Sequence, residues 1–264
     1  MDTSPTPRHV KRRRAFTLVE LLTVLAIVGI LAALIMPAIS RARDAAKSTA
    51  GLSNLRQLAQ ANLAYASDHR GQFCPATSFN NRRRWHGERA NSSAPFDPTK
   101  GFLAPYLGQS GRVKLCPRFD DLDQSATSFE LGTGGYGYNS AYIGGTPLDW
   151  TIPNFLQRLP NPARTVMFAS TAFAVASGPQ EYPSTEPYQS LAPSGQPNGA
   201  LQPSTHFRHD GKAHVAWCDG RVTAESPNAA VSTNYYGGDN TRHHIGWFGP
   251  TDHNGYWNPS YPEW

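Results

Sequence analysis

From residue 16 to residue 39 the chain is apolar almost without interruption, and the one charge between Ala15 and Ser40 is Glu20. A helix over these 24 residues rises about 36 Å, enough to cross the ~30 Å hydrocarbon core of a bilayer. Arg8, Lys11, Arg12, Arg13 and Arg14 stand directly before it. Positive charge on one flank holds that end in the cytoplasm and sends the rest of the chain outward. A cleavable secretory signal shares the basic start, but its apolar stretch is only about 7–15 residues long.

Past residue 39 the pattern becomes a stripe. Ala38, Ala42, Ala45, Ala46, Leu52, Leu55, Ala59, Leu63 and Ala66 recur at helical spacing, and Arg41, Arg43, Asp44, Lys47 and Arg56 fall mostly off it. Pro37 predicts a kink or a melted turn. Gly51 predicts a slight weakening, and Asp68-His69-Arg70-Gly71 predicts the helix end. The second half of such a helix would lay its stripe on a sheet.

The body beyond residue 70 reads as strands and loops. Residues 71–100 are loop-like, 101–116 hold a short helix and strand, and 120–150 are glycine-rich. Residues 164–170 form a buried-type strand. Residues 176–204, rich in Pro, Ser and Gln, read as a surface insertion. The clearest β signal is 206–224. There Ala213, Val215 and Trp217 alternate with His214, Ala216 and Cys218, as on a half-buried strand. Asp219-Gly220 predicts a two-residue hairpin turn, and an antiparallel meander follows. The expected fold class is α+β: a long N-terminal helix packed on an antiparallel sheet with long loops. The expected organisation is a basic leader at 1–15, an apolar helix at 16–39, its amphipathic continuation at 40–70 and a β-rich domain at 71–264.

Charged residues make up 16% of the chain, well under the usual quarter, and 23 Gly with 22 Pro exclude a helical bundle for most of it. The net charge of +5 arises almost wholly in residues 1–14. The remainder is near neutral, which disfavours a general nucleic-acid binder, since phosphate binding needs a basic face on the folded domain.

Arg14-Ala15-Phe16-Thr17-Leu18-Val19-Glu20, behind a basic leader and opening an apolar helix, resembles the prepilin processing motif of type IV pilins and type II secretion pseudopilins. The resemblance implies cleavage by a prepilin peptidase between Ala15 and Phe16, N-methylation of Phe16 and a role in assembly for Glu20. Gly is the usual residue before the cut, and Ala15 departs from it mildly. The resemblance also implies a pilin-like fold and a single-pass protein of the inner membrane, with its N-terminus cytoplasmic and its C-terminal domain periplasmic or extracellular. The implied partners are other pilin or pseudopilin subunits in a homo- or hetero-filament. An ionised Glu20 in lipid costs several kcal/mol unless paired, and a neighbour's new Phe16 amine is a candidate partner. His209, nine residues and then Asp219-Gly220 match the H-X9-DG signature of a large prepilin-like subgroup. Leu115-Cys116-Pro117, Tyr136-Gly137-Tyr138-Asn139 and residues 161–166 are also similar to that subgroup.

Other residues carry candidate chemistry. His206, His209, Asp210, His214, Asp219 and Asp239 are metal candidates, and similar pseudopilins use Ca²⁺ in their C-terminal loops. Asp219, Asp239, Asn240 and Asp252 supply oxygens without EF-hand spacing. Zinc would prefer His209, His214 and a carboxylate, but neither HExxH nor paired CxxC is present. The favoured reading is structural: His209 bonds the hairpin backbone or Asp219, and Asp-Gly is only a turn. No cofactor is then expected, with Ca²⁺ held as a candidate. In an oxidising compartment a Cys74–Cys116 disulfide is a candidate, with Cys218 buried and free. Arg82-Arg83-Arg84-Trp85-His86 is a candidate contact for a DNA backbone and base, for an acidic neighbour, or a plain solvated loop. Tyr235, Tyr236, Trp247, Phe248, Tyr256, Trp257, Tyr261 and Trp264 form either a binding surface or cover for a sheet edge.

No nucleophile elbow, Walker loop or paired-carboxylate motif supports catalysis. The sequence therefore reads as a non-enzymatic structural subunit of a type II secretion pseudopilus or type IV pilus-like filament. The alternative is a minor pilin that binds DNA or carbohydrate. Less favoured is a membrane-anchored metal-dependent hydrolase using His209 and Asp219.

Overall fold

A computed structural model describes residues 17–122, 130–192, 194 and 196–261. The leader, Ala15, Phe16 and Trp264 lie outside the described residues. The chain divides into two compact units, Met1–Ala45 and Ala46–Trp264. The architecture is α+β, with one long N-terminal helix, α1 (Leu18–Asp68), and several small antiparallel sheets.

In the first unit the described structure is helix from Leu18 onward. Thr17 and Glu20 start it. The Glu20 N–H donates to Thr17 Oγ1 at 3.2 Å, and the Thr17 N–H donates to the Glu20 carboxylate at 2.9 Å. This reciprocal pair is a capping box, which satisfies two of the backbone donors that a helix start leaves unpaired. The predicted melted turn at Pro37 is not found, because α1 runs through Pro37 unbroken. The ring removes one N–H from the ladder, and that single loss does not end the helix.

In the second unit α1 buries Gly51, Leu55, Leu58, Ala59, Ala61, Asn62 and Ala66. Of the predicted stripe, Leu55, Ala59 and Ala66 lie on this face, and Leu52 and Leu63 sit at its margin. The central sheet has four strands: β1 (Tyr136–Tyr138), β2 (Val166–Ser170), β3 (Ala213–Trp217) and β4 (Val222–Glu225). They pair antiparallel in chain order, so the sheet is a meander. Its register shifts between Ala216 and Trp217, opposite β2.

Strand β3 is buried at all five positions rather than on one face. Ala216 and Cys218 join Leu55, Leu58 and Phe168 in one core cluster. Val215 and Trp217 join Trp247, Phe248 and Trp257 in a second. The helix covers one face of the sheet, and C-terminal aromatic residues cover the other. Trp247, Phe248 and Trp257 of the aromatic tail are therefore core, with Tyr256 packed against them, each buried side chain contributing roughly 1.5–3 kcal/mol. Tyr235 and Tyr236 remain outside, at 81% and 72% exposure.

Residues 176–204 are not a plain surface insertion. They contain three short strands, and Glu181, Ser184, Thr185, Glu186 and Tyr188 are buried. Low hydrophobicity hides this, because the segment is held by hydrogen bonds. Trp257 Nε1 donates to the Thr185 carbonyl, and the Glu186 N–H donates to Ser204 Oγ.

The hairpin between β3 and β4 uses three residues rather than two. The Gly220 N–H bonds the Trp217 carbonyl and the Trp217 N–H bonds the Arg221 carbonyl. Only Gly220, at φ 85°, is left-handed there. Cys218 and Asp219 form the turn and Gly220 the bulge.

Candidate functional sites

The apolar part of α1 is built to face something other than water. Its 18-residue window has a mean hydropathy of 2.8 and no residue buried within the chain. Leu18, Leu22, Leu25, Ile30, Leu34 and Met36 are each more than half exposed. At its start the Glu20 carboxylate also accepts from Thr17 Oγ1 at 2.8 Å. The carboxylate is thus turned back on its own helix end, beside the position where Phe16 joins.

A different cluster surrounds His209. Its ring stacks on His214, with centroids 3.5 Å apart and planes 13° from parallel. Its Nε2 lies 3.7 Å from Cys116 Sγ, to which Arg208 Nε donates at 3.5 Å. Ser48 Oγ lies 3.3 Å from His214 Nε2. Gly51 of α1 closes the cluster, since a Cβ there would stand 3.2 Å from His209 Cε1 and 3.3 Å from Cys116 Sγ. Burial, aided by the Arg208 charge, holds both imidazoles neutral, at about 2 for His209 and about 4 for His214. Burial opposes ionisation of Cys116, but the Arg208 charge and hydrogen bond, with local backbone N–H groups, bring its thiol below the ordinary value. This arrangement does not suit a shared cation. The two ring planes are nearly parallel, so no nearby point lies in both, and a guanidinium already stands against the sulfur.

Residues 10–36 match the prokaryotic N-terminal methylation motif. No curated protein matches the chain. No solved structure matches it either. The methylation motif covers the basic flank, Ala15, Phe16, Glu20 and the first half of the apolar run. It implies processing by a prepilin peptidase and assembly with pilin-type subunits in general, and together with the apolar helix it is consistent with membrane anchoring.

The pieces outside the methylation motif land mainly on the sheet. Tyr136-Gly137-Tyr138 is β1, and Asn139 Nδ2 donates to the Val166 and Trp257 carbonyls, both at 2.9 Å. His209 does not meet Asp219 or Asp239. Its backbone pairs with Lys212, while Asp219 and Asp239 accept the Arg221 and Arg242 N–H groups, each at 2.9 Å. Among the described residues no three His, Cys, Asp or Glu side chains converge as metal ligands.

The Cys74–Cys116 disulfide is corrected: Cys74, Cys116 and Cys218 are all buried free thiols. The Cys74 N–H bonds Asn62 Oδ1, whereas Cys116 lies against Gly51. Those two contacts stand eleven positions apart on α1, about 16 Å of helix, and a disulfide needs Cα atoms within about 7 Å.

The 82–86 segment is not a stacking loop. Trp85 is 1% exposed and donates to the Pro183 carbonyl at 3.0 Å, and Arg84 pairs with Glu130. Sequence reasoning missed Asn62 and Gly51 as site-builders. The signal was there: a polar residue and a glycine on the apolar face of a helix, the former bonding Tyr138 Oη at 3.0 Å.

Proposed function

We propose that the chain is a structural subunit of a pilus-like filament, either a type II secretion pseudopilus or a type IV pilus relative, and that it works by assembly rather than catalysis. The observation that carries this is the methylation motif at residues 10–36, opening a helix whose apolar window has no residue buried among the described residues. In the proposed cycle a prepilin peptidase cuts between Ala15 and Phe16 and Phe16 is N-methylated. The helix is stored in the inner membrane with its start cytoplasmic, and other subunits' helices replace lipid around it on extraction.

In the filament Glu20 pairs with a neighbour's Phe16 amine. The pairing sets register and offsets the cost of burying the carboxylate. The capping box keeps the Glu20 carboxylate at the start of its own helix, and pairing with a neighbour's amine would exchange its contacts to Thr17 for an ion pair. The test is the exact mass of the mature N-terminal peptide from membranes of a host with active prepilin peptidase. A methylated Phe16 terminus is expected, and an intact leader overturns the reading. Glu20→Ala at normal expression should lose filament incorporation, and full incorporation sinks the pairing.

A further inference from the structure

Trp150 stands apart from the other described tryptophans. The indole N–H groups of Trp85, Trp217, Trp247 and Trp257 each donate to an oxygen inside the fold. Among the described residues Trp150 is the one tryptophan with no such acceptor, and the residue is 40% exposed. A large amphipathic ring left half out, with a free donor, fits a contact face better than a core.

Two cavities flank it. One of about 190 Å³ and another of about 290 Å³ share Arg84, Trp150, Pro183 and Ser184 as walls. Thr77 and Asn81 continue the first, and Phe173 and Tyr236 continue the second. The Tyr236 ring stands edge-on to Phe173 at 5.4 Å and is itself 72% exposed. Each cavity is below the ~300–1,000 Å³ of an ordinary ligand pocket. Each therefore takes one ring-sized unit, and the pair suits a linear ligand passing over Trp150.

We propose that this double cavity binds a neutral oligosaccharide of two or three pyranose units. A pyranose ring has a C–H face that lies on an aromatic plane and a hydroxyl edge that bonds planar polar groups. The cleft offers both, with Trp150 and Tyr236 as rings and Arg84 and Asn81 as polar groups; Arg84 Nε already donates to Asn81 Oδ1 at 3.0 Å, which leaves Arg84 Nη2 and Asn81 Nδ2 to meet the sugar. The Arg84 guanidinium is already neutralised by Glu130, so a polyanion finds no net positive charge there. The inference goes beyond the filament reading and does not depend on it.

The test uses the full chain in lipid nanodiscs, titrated calorimetrically with cellotriose, maltotriose and triacetylchitotriose. Saturable binding of at least one is expected, and which one responds separates plain glucans from N-acetylated glycans. Trp150→Ala should weaken it tenfold or more, a loss of about 1.4 kcal/mol or more, with the unfolding temperature unchanged. Tyr236→Ala, at a residue 72% exposed, should weaken it less. No saturable heat from any of the three sugars overturns the proposal. So does undiminished binding by both variants, or binding of an apolar control peptide in place of the sugars.

Discussion

The two stretches of α1 share one backbone ladder and face opposite tasks. Along residues 18–39 the side chains are apolar on every side except at Glu20 and almost all exposed; along 46–68 they are apolar on one face only, and that face is buried. The second stretch finds its partners within the chain: Leu55 and Leu58 pack with Phe168 and Ala216, and Asn62 bonds both Tyr138 and Cys74. Among the described residues nothing buries the first stretch's apolar window. Its hydrophobicity is information about an external solvent, lipid or other helices, since continuous exposure to water would cost roughly 25 cal/mol per Å². Continuity of a helix therefore says little about continuity of its environment.

Truncating a leucine in each stretch draws this contrast most sharply. Leu55 is 0% exposed and Leu25 is 61% exposed. Leu55→Ala should cost the globular unit about 2–5 kcal/mol, as large-to-small core changes do. Leu25→Ala should leave its unfolding unchanged. Thermal unfolding of the two variants side by side checks this, and equal losses would break the comparison.

Glycine gives the next contrast. Among the described residues nothing stands within 4 Å of where a Cβ on Gly29 would lie, whereas Gly51 faces His209 and Cys116 at 3.2 and 3.3 Å. Gly51→Leu should lose about 1–3 kcal/mol through overpacking, less the helix propensity gained. Gly29→Leu should leave the same unfolding transition in place. If Gly51→Leu proves neutral, the stacked histidines have room that the geometry denies them.

The two units also differ in how pH reaches them, because the second buries titratable groups. Burial raises the Glu186 carboxyl to about 7, partly offset by the hydrogen bond from Tyr182 Oη. A raised acid pKa gives stability that is full below the unfolded value, near 4.5, and is lost as pH rises through about 7. Glu186→Gln removes that slope, so its stability relative to the parent should grow by up to ~3 kcal/mol between pH 4.5 and 7. His209 and His214 act in the other direction. Their depressed values mean that the unfolded chain binds protons which the folded one refuses, so their contribution falls as pH drops from 6.5 toward 4. Urea midpoints of parent and variant at pH 5 and pH 8 measure the difference. An equal shift at both pH values would show that burial does not move the Glu186 carboxyl away from its unfolded value.

How much of this is legible before the structure depends on what holds each region. The apolar run and the Phe16-to-Glu20 motif are local patterns, and the helix stripe is periodic, so both are readable. The meander is readable at β2 and β3, where β-branched and aromatic residues cluster. The long-range partners are not. Residues 181–188 are buried through hydrogen bonds to Ser204 and Trp257 rather than through hydrophobicity. Trp85 is buried although three arginines precede it, because Arg84 reaches Glu130 and the indole reaches Pro183. His209 finds Cys116 across 93 residues, a pairing with no local period to announce it.

The smallest expected effect lies at the very start of α1. Thr17 caps the helix, accepting from the Glu20 N–H while its own N–H and hydroxyl hold the Glu20 carboxylate. Thr17→Ala keeps the backbone donor but removes the hydroxyl, leaving one N–H of the first turn unpaired. The cost should be about 1 kcal/mol, the usual worth of an N-cap side chain. It should appear as faster amide exchange confined to the first turn, because unfolding of the residues beyond Ala46 does not depend on that cap. Since the same hydroxyl aims the carboxylate, Thr17→Ala should also reduce filament incorporation less than Glu20→Ala does. Thr17→Ser, which restores the hydroxyl, should recover it. If Thr17→Ala and Thr17→Ser behave alike, the cap plays no part in placing Glu20, and the carboxylate finds its partner in the assembly unaided.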